Sequence, residues 1–94
     1  MERTNKMKPR FRYTSLIERL NLCQIAGDLQ SGNHLLYPRS DSYKMTAKRY
    51  VVAYNKFEKH EPLTKWEIEA LAYVDYCSEP DLDWKKLKDK YKSR

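Results

Sequence analysis

Leu63-Thr64-Lys65-Trp66-Glu67-Ile68-Glu69-Ala70-Leu71-Ala72-Tyr73-Val74 contains the strongest helix-start signal of the chain. Thr64 and Glu67 fit a capping box, in which the hydroxyl accepts an orphan backbone N–H and the carboxylate reaches back to the N–H of the cap residue. Leu63 and Ile68 occupy the two positions of a hydrophobic staple around that box. Ile68, Leu71, Ala72 and Val74 supply the apolar side of the helix, and Ser78-Glu79-Pro80 breaks it. Downstream, Asp81 or Asp83 caps a short last helix that carries Leu82, Trp84, Leu87 and Tyr91.

Upstream, Ser15-Leu16-Ile17-Glu18 fits a second capping box. Leu16, Leu20 and Cys23 form one stripe, widened by Leu22, Ile25, Ala26 and Leu29. Glu18, Arg19, Gln24 and Asp28 are among the few polar exceptions, so this helix is expected at the centre of the core. Gly32 and Asn33 stop it. Residues 33–41 form a loop in which Pro38 forbids helix. A further helix follows from about Ser42 to Lys59, with Tyr43, Ala47, Tyr50, Tyr54 and Phe57 on one face. No stretch alternates with the period of a strand. The expected fold class is all-α, a compact bundle of four helices over residues 14–94, preceded by a basic arm over residues 1–13.

Residues 63–94 resemble the first two helices of a Myb/SANT repeat. The likeness rests on Leu63-Thr64-Lys65, Leu71 and Val74 in the first helix, then Trp84-Lys85-Lys86-Leu87 and Tyr91 in the second. The first-helix tryptophan is shifted to Trp66, and the groove-reading third helix of that repeat would fall beyond Arg94. The resemblance therefore implies a capped helical hairpin and not a DNA-reading helix.

The chain has 94 residues, of which 40% are hydrophobic and 34% charged, too polar for a membrane protein and without an apolar run of spanning length. The aromatic fraction of 13% is too high for a chain that never folds. The net charge of +6 is unevenly spread. Residues 1–60 hold 12 lysines and arginines against 5 acids, residues 61–83 hold one lysine against 7 acids, and residues 84–94 hold 6 cations against one acid. The N-terminus has no apolar signal region, and 2 cysteines are too few for a disulfide scaffold. A cytoplasmic protein with reduced thiols is expected, Cys23 and Cys77 acting as small core hydrophobes unless their helices touch.

Candidates for catalysis are sparse. His34 and His60 stand alone, the cysteines and histidines show no metal-ligand spacing, and two glycines leave no phosphate-cradling loop. No enzyme, cofactor, metal or small-molecule substrate is expected. The arm Lys8-Pro9-Arg10-Phe11-Arg12-Tyr13 interleaves cations and rings, a pattern that suits a phosphate backbone with stacked bases or an acidic protein groove, unless it is a solvated chain end. The expected contact residues are Arg10, Phe11 and Arg12 on the arm, Tyr43, Lys44, Lys48, Arg49 and Tyr54 on the second helix, and Lys85, Lys86 and Lys88 on the last.

Two functions compete. In the first, this is a non-enzymatic modulator, such as an inhibitor of phage or mobile-element type, that docks on a larger protein machine handling nucleic acid. In the second, it binds DNA or RNA directly through its basic arms and second helix. The acidic block interrupts a continuous phosphate track, which favours the first. Thr64→Ala is expected to cost about 1 kcal/mol in chemical denaturation, as for other lost N-caps. An unchanged unfolding midpoint would mean that no helix starts at Thr64.

Overall fold

A computed structural model describes residues 9–32 and 40–92. The expectations placed on the arm before Pro9, on Asn33, His34 and Pro38, and on Arg94 lie outside these residues. Among the described residues there are four α-helices and no strand: α1 (Leu16–Ser31), α2 (Asp41–Glu58), α3 (Lys65–Ser78) and α4 (Trp84–Lys92). Both capping boxes form. The hydroxyl of Ser15 accepts from the Glu18 amide and that of Thr64 from the Glu67 amide, while each glutamate accepts from the cap's own amide. Ser40 caps α2, and Asp83 accepts from the Lys85 amide at the start of α4. Gly32 closes α1 at φ 75°, a left-handed position that favours glycine.

The hub of the fold is α3, which packs against α1, α2 and α4. This corrects the expectation that the first helix is central. The face of α1 is corrected too. Its buried side is Asn21, Leu22, Ile25, Ala26 and Asp28. Leu16, Ile17, Leu20 and Cys23 lie outward, with Leu16 66% exposed. The polar residues on the inner side are buried because α2 supplies their partners. Asn21 Nδ2 donates to Ser42 Oγ at 2.9 Å and Thr46 Oγ1 at 3.1 Å, and Tyr43 OH donates to Asp28 Oδ2 at 2.6 Å. A buried polar group with its hydrogen bonds made costs little, so the turn of helix that carries them can face inward.

The cysteines are also not core residues. Cys23 is exposed with the outer side of α1, and Cys77 is half-buried at the edge of the core. The core consists chiefly of rings and small residues, including Tyr43, Tyr50, Trp66, Trp84 and Tyr91 beside Ala47, Ala53, Ala70 and Ala72. Phe57 packs edge-on against Tyr91, with ring centroids 4.7 Å apart.

The described end of the arm is held where it runs into Thr14. Glu69, in the middle of α3 and only 1% exposed, accepts four hydrogen bonds from Arg12, Tyr13 and Thr14. Oε2 accepts from the Arg12 amide at 3.1 Å. Oε1 accepts from the amides of Tyr13 and Thr14 at 3.2 and 3.0 Å and from Thr14 Oγ1 at 2.7 Å. Phe11 wedges beside this knot, 5.0 Å from the Tyr73 ring and 5.6 Å from that of Trp84. Glu69→Ala is expected to lower stability by about 3 kcal/mol, the range for stranding partners of a charged acceptor, and Glu69→Gln by less because one acceptor oxygen remains. Urea denaturation measures the loss. Limited trypsin digestion should then cut faster at Arg10 and Arg12, and an unchanged cutting rate would show that Glu69 does not hold the arm.

Candidate functional site

Anchoring the arm at Glu69 and Phe11 sets the positions of the residues between and beside them. Arg10, Arg12 and Tyr13 line a cleft of about 470 Å³ whose other walls come from α3 and α4. Lys65 enters it from the first turn of α3, and Lys85, Lys88 and Lys92 from α4. The three α4 lysines are spaced i, i+3 and i+7, so they share a face, while Trp84, Leu87 and Tyr91 at the same spacing make the buried face. The amphipathic period of one short helix thus fixes both its seat in the core and its row of charge. Six cations from three elements meet here. Among the lining residues only Glu69, whose oxygens are occupied by the arm, and Asp89 oppose them.

The rings of the cleft are coupled to its cations. Lys65 Nζ lies 5.7 Å from the centre of the exposed Tyr13 ring, and Lys88 Nζ lies 6.0 Å from that of Trp84. The indole N–H of Trp84 is buried with no acceptor among the described residues. A cleft with several cations and an exposed ring offers groups complementary to an anion bearing several acceptor oxygens.

Of the expected contact residues, the fold brings Arg10, Arg12, Lys85 and Lys88 together in this cleft. Lys86 is exposed but does not line it. Phe11 is an anchor rather than a contact residue, because its ring is half-buried against Tyr73 and Trp84 and covered by the Arg19 guanidinium at 4.2 Å. Tyr43 belongs to the core, 1% exposed, because Asp28 satisfies its hydroxyl. Tyr54 is 45% exposed on α2, where Lys44 and Lys48 are also exposed, away from the cleft. Arg49 is committed internally: it bonds Glu18 Oε2 at 2.9 Å and lies 3.7 Å over the Trp66 ring. Sequence reasoning did not single out Lys65 and Lys92 for the cleft. Lys92 was legible from its spacing to Lys85 and Lys88, whereas Lys65 joins through tertiary packing alone.

Around Arg49 the acids have structural work. Glu18 Oε1 accepts from the Ser15 amide at 2.8 Å and from Trp66 Nε1 at 3.2 Å. Burial pushes the Glu18 carboxyl up, but the Ser15 amide, the Trp66 indole and Arg49 outweigh it and hold the group below its ordinary 4.5. Glu67 behaves likewise: burial opposes the Thr64 amide and Lys56, whose ammonium lies at 3.1 Å, and the balance lowers the carboxyl. Among the described residues no three histidines, cysteines or acids converge as metal ligands, and no helix is long and apolar enough to cross a membrane.

Compared with protein-family models, curated proteins and solved structures, the chain matches none.

A carboxyl lowered by folding contributes stability above its unfolded value and loses it as pH falls toward the folded one. Glu18 and Glu67 are both lowered from 4.5, so the urea midpoint should hold above about pH 5.5 and fall progressively below 4.5. Glu67→Gln should make that acid limb shallower, and an acid limb as steep as that of the wild type would show that Glu67 does not contribute to it.

Proposed function

We propose that this chain is a non-enzymatic cytoplasmic binding protein that contacts nucleic acid through the basic cleft between its arm and α4. The observation that carries this reading is the convergence of Arg10, Arg12, Lys65, Lys85, Lys88 and Lys92 around one concavity. Cations held on a folded frame neutralise phosphates without first being ordered, and a ring such as Tyr13 beside them offers a face on which a base can stack. The acidic block is less of an obstacle than its position in the sequence implies. Glu67 and Glu69 are turned into caps and anchors, Asp75 accepts from Tyr91 OH and Lys90, and Asp83 caps α4.

A second reading keeps the chain as a modulator that docks on a protein machine handling nucleic acid. Leu16, Ile17 and Leu20, exposed on the outer side of α1, favour it, because an uncovered apolar helix face is suited to a protein surface. In this reading the cleft supplies charge complementarity and α1 supplies the apolar contact.

Fluorescence anisotropy with labelled single- and double-stranded oligonucleotides distinguishes the two. Direct binding should weaken steeply between 50 and 200 mM salt, and the double variant Lys85→Ala, Lys88→Ala should reduce the logarithmic salt slope by roughly 0.7–0.9 for each phosphate contact removed. Absence of binding at the lowest salt would end the direct-contact reading and leave the modulator reading. Binding that is indifferent to the two lysines would remove the cleft from it.

A further inference from the structure

Cys23 and Cys77 come from different helices, 54 positions apart in sequence, and their sulfurs lie 2.7 Å from each other. Three observations make this more than a chance meeting of two thiols. Cys23 is exposed on α1, so a solute reaches its sulfur, whereas Cys77 is half-buried and packed against the core. Tyr73 OH accepts from Cys23 Sγ at 3.4 Å, one turn before Cys77 on the same helix, and helps to aim the pair. Beyond them Gln30 Nε2 donates to the Ser78 carbonyl at 3.3 Å, so α1 and α3 are tied on the far side of the thiols as well.

We propose that Cys23 and Cys77 form a dithiol site that low-molecular-weight disulfides of the glutathione class oxidise to an intramolecular disulfide. The site is independent of the basic cleft and of the reading given to it. The Cys23 thiolate attacks one sulfur of the external disulfide. A Cys23–glutathione bond forms, the external S–S bond breaks, and one glutathione thiolate leaves. The Cys77 sulfur then attacks the Cys23 sulfur, closing the protein disulfide and expelling the second glutathione. The two protein thiol protons pass to the two departing thiolates. The protein dithiol is thereby oxidised by two electrons, and the external disulfide is reduced to two thiols.

The division of labour follows from the environments. Burial, with Cys23 beside it, pushes the Cys77 thiol up to about 12, so it is a poor first nucleophile toward solutes. Once Cys23 carries a glutathione, the Cys77 sulfur is already beside the electrophile, and closure needs no encounter from solution. The closed bond ties α1 to the hub helix across a long loop, which restricts the unfolded chain.

The test uses the full chain in native buffer with graded mixtures of reduced and oxidised glutathione, read by intact mass, thiol alkylation and melting. The wild type should lose both free thiols, become lighter by two hydrogens with no glutathione attached, remain a single chain, and melt higher by on the order of 10 °C. Cys77→Ser should stop as a glutathione adduct on Cys23, and Cys23→Ser should take up little. The proposal is overturned if the wild type accumulates the Cys23 adduct as Cys77→Ser does, if its disulfides link separate chains, or if closure requires denaturant.

Discussion

Glu69 is the residue on which the arrangement turns. A carboxylate in the interior loses its hydration and is tolerated only where donors replace the water. Here the donors are the backbone of the arm from Arg12 to Thr14 and the Thr14 hydroxyl. The dependence runs both ways. Those amides have no helix or sheet to satisfy them, and Glu69 gives the chain ahead of α1 a defined path across α3. Phe11 then fits among Tyr73 and Trp84, so the same contact that satisfies an acid also completes an aromatic cluster and fixes Arg10 and Arg12 opposite α4.

The core shows how a chain rich in tyrosine makes a small interior. A phenol buries a ring and carries a hydroxyl that must be bonded when it leaves water. Tyr43 uses Asp28, and Tyr91 uses Asp75, with the two acids on other helices. Burial and then the Asp75 carboxylate push the Tyr91 hydroxyl well above its ordinary range, so it remains a donor in that bond. Each pair ties two helices by direction as well as by area, a specificity that a smooth aliphatic core of this size would lack. The alanines of α2 and α3 sit among these rings and let the helices approach closely.

Charge is sorted by the same contacts. Glu67, Glu69, Asp75 and Asp83 of the central segment are drawn into caps, anchors and a phenol bond, while Lys85, Lys88 and Lys92 of α4 stay on its outer side because the apolar face of that helix is taken by Trp84, Leu87 and Tyr91. The basic cleft is therefore a consequence of packing. Burying one side of α4 against α3 presents the other side to the arm, and the arm is basic.

Much of this was legible from local rules. The two capping boxes at Ser15 and Thr64, the glycine stop at Gly32 and the proline after Ser78 act within a few residues, so helix class, number and boundaries followed from sequence alone. The cations at Arg10, Arg12, Lys85 and Lys88 were visible as a charge pattern. What the sequence left undetermined was everything that depends on a partner distant in the chain. The helix α1 has apolar residues on two sides, and hydrophobicity alone favoured the side with Leu16 and Leu20. Asn21 and Asp28 face inward because hydroxyls of α2 await them, which no local pattern records. Tyr43 and Tyr54 share a stripe in sequence, but Tyr43 enters the core with Asp28 of another helix as its partner, whereas Tyr54 stays exposed beside Glu58 of its own helix. Glu69 looks like an ordinary surface acid of an amphipathic helix. Its burial, the seating of the arm and the meeting of Cys23 with Cys77 exist only once α1 and the arm lie on α3, because each arises between residues more than fifty positions apart.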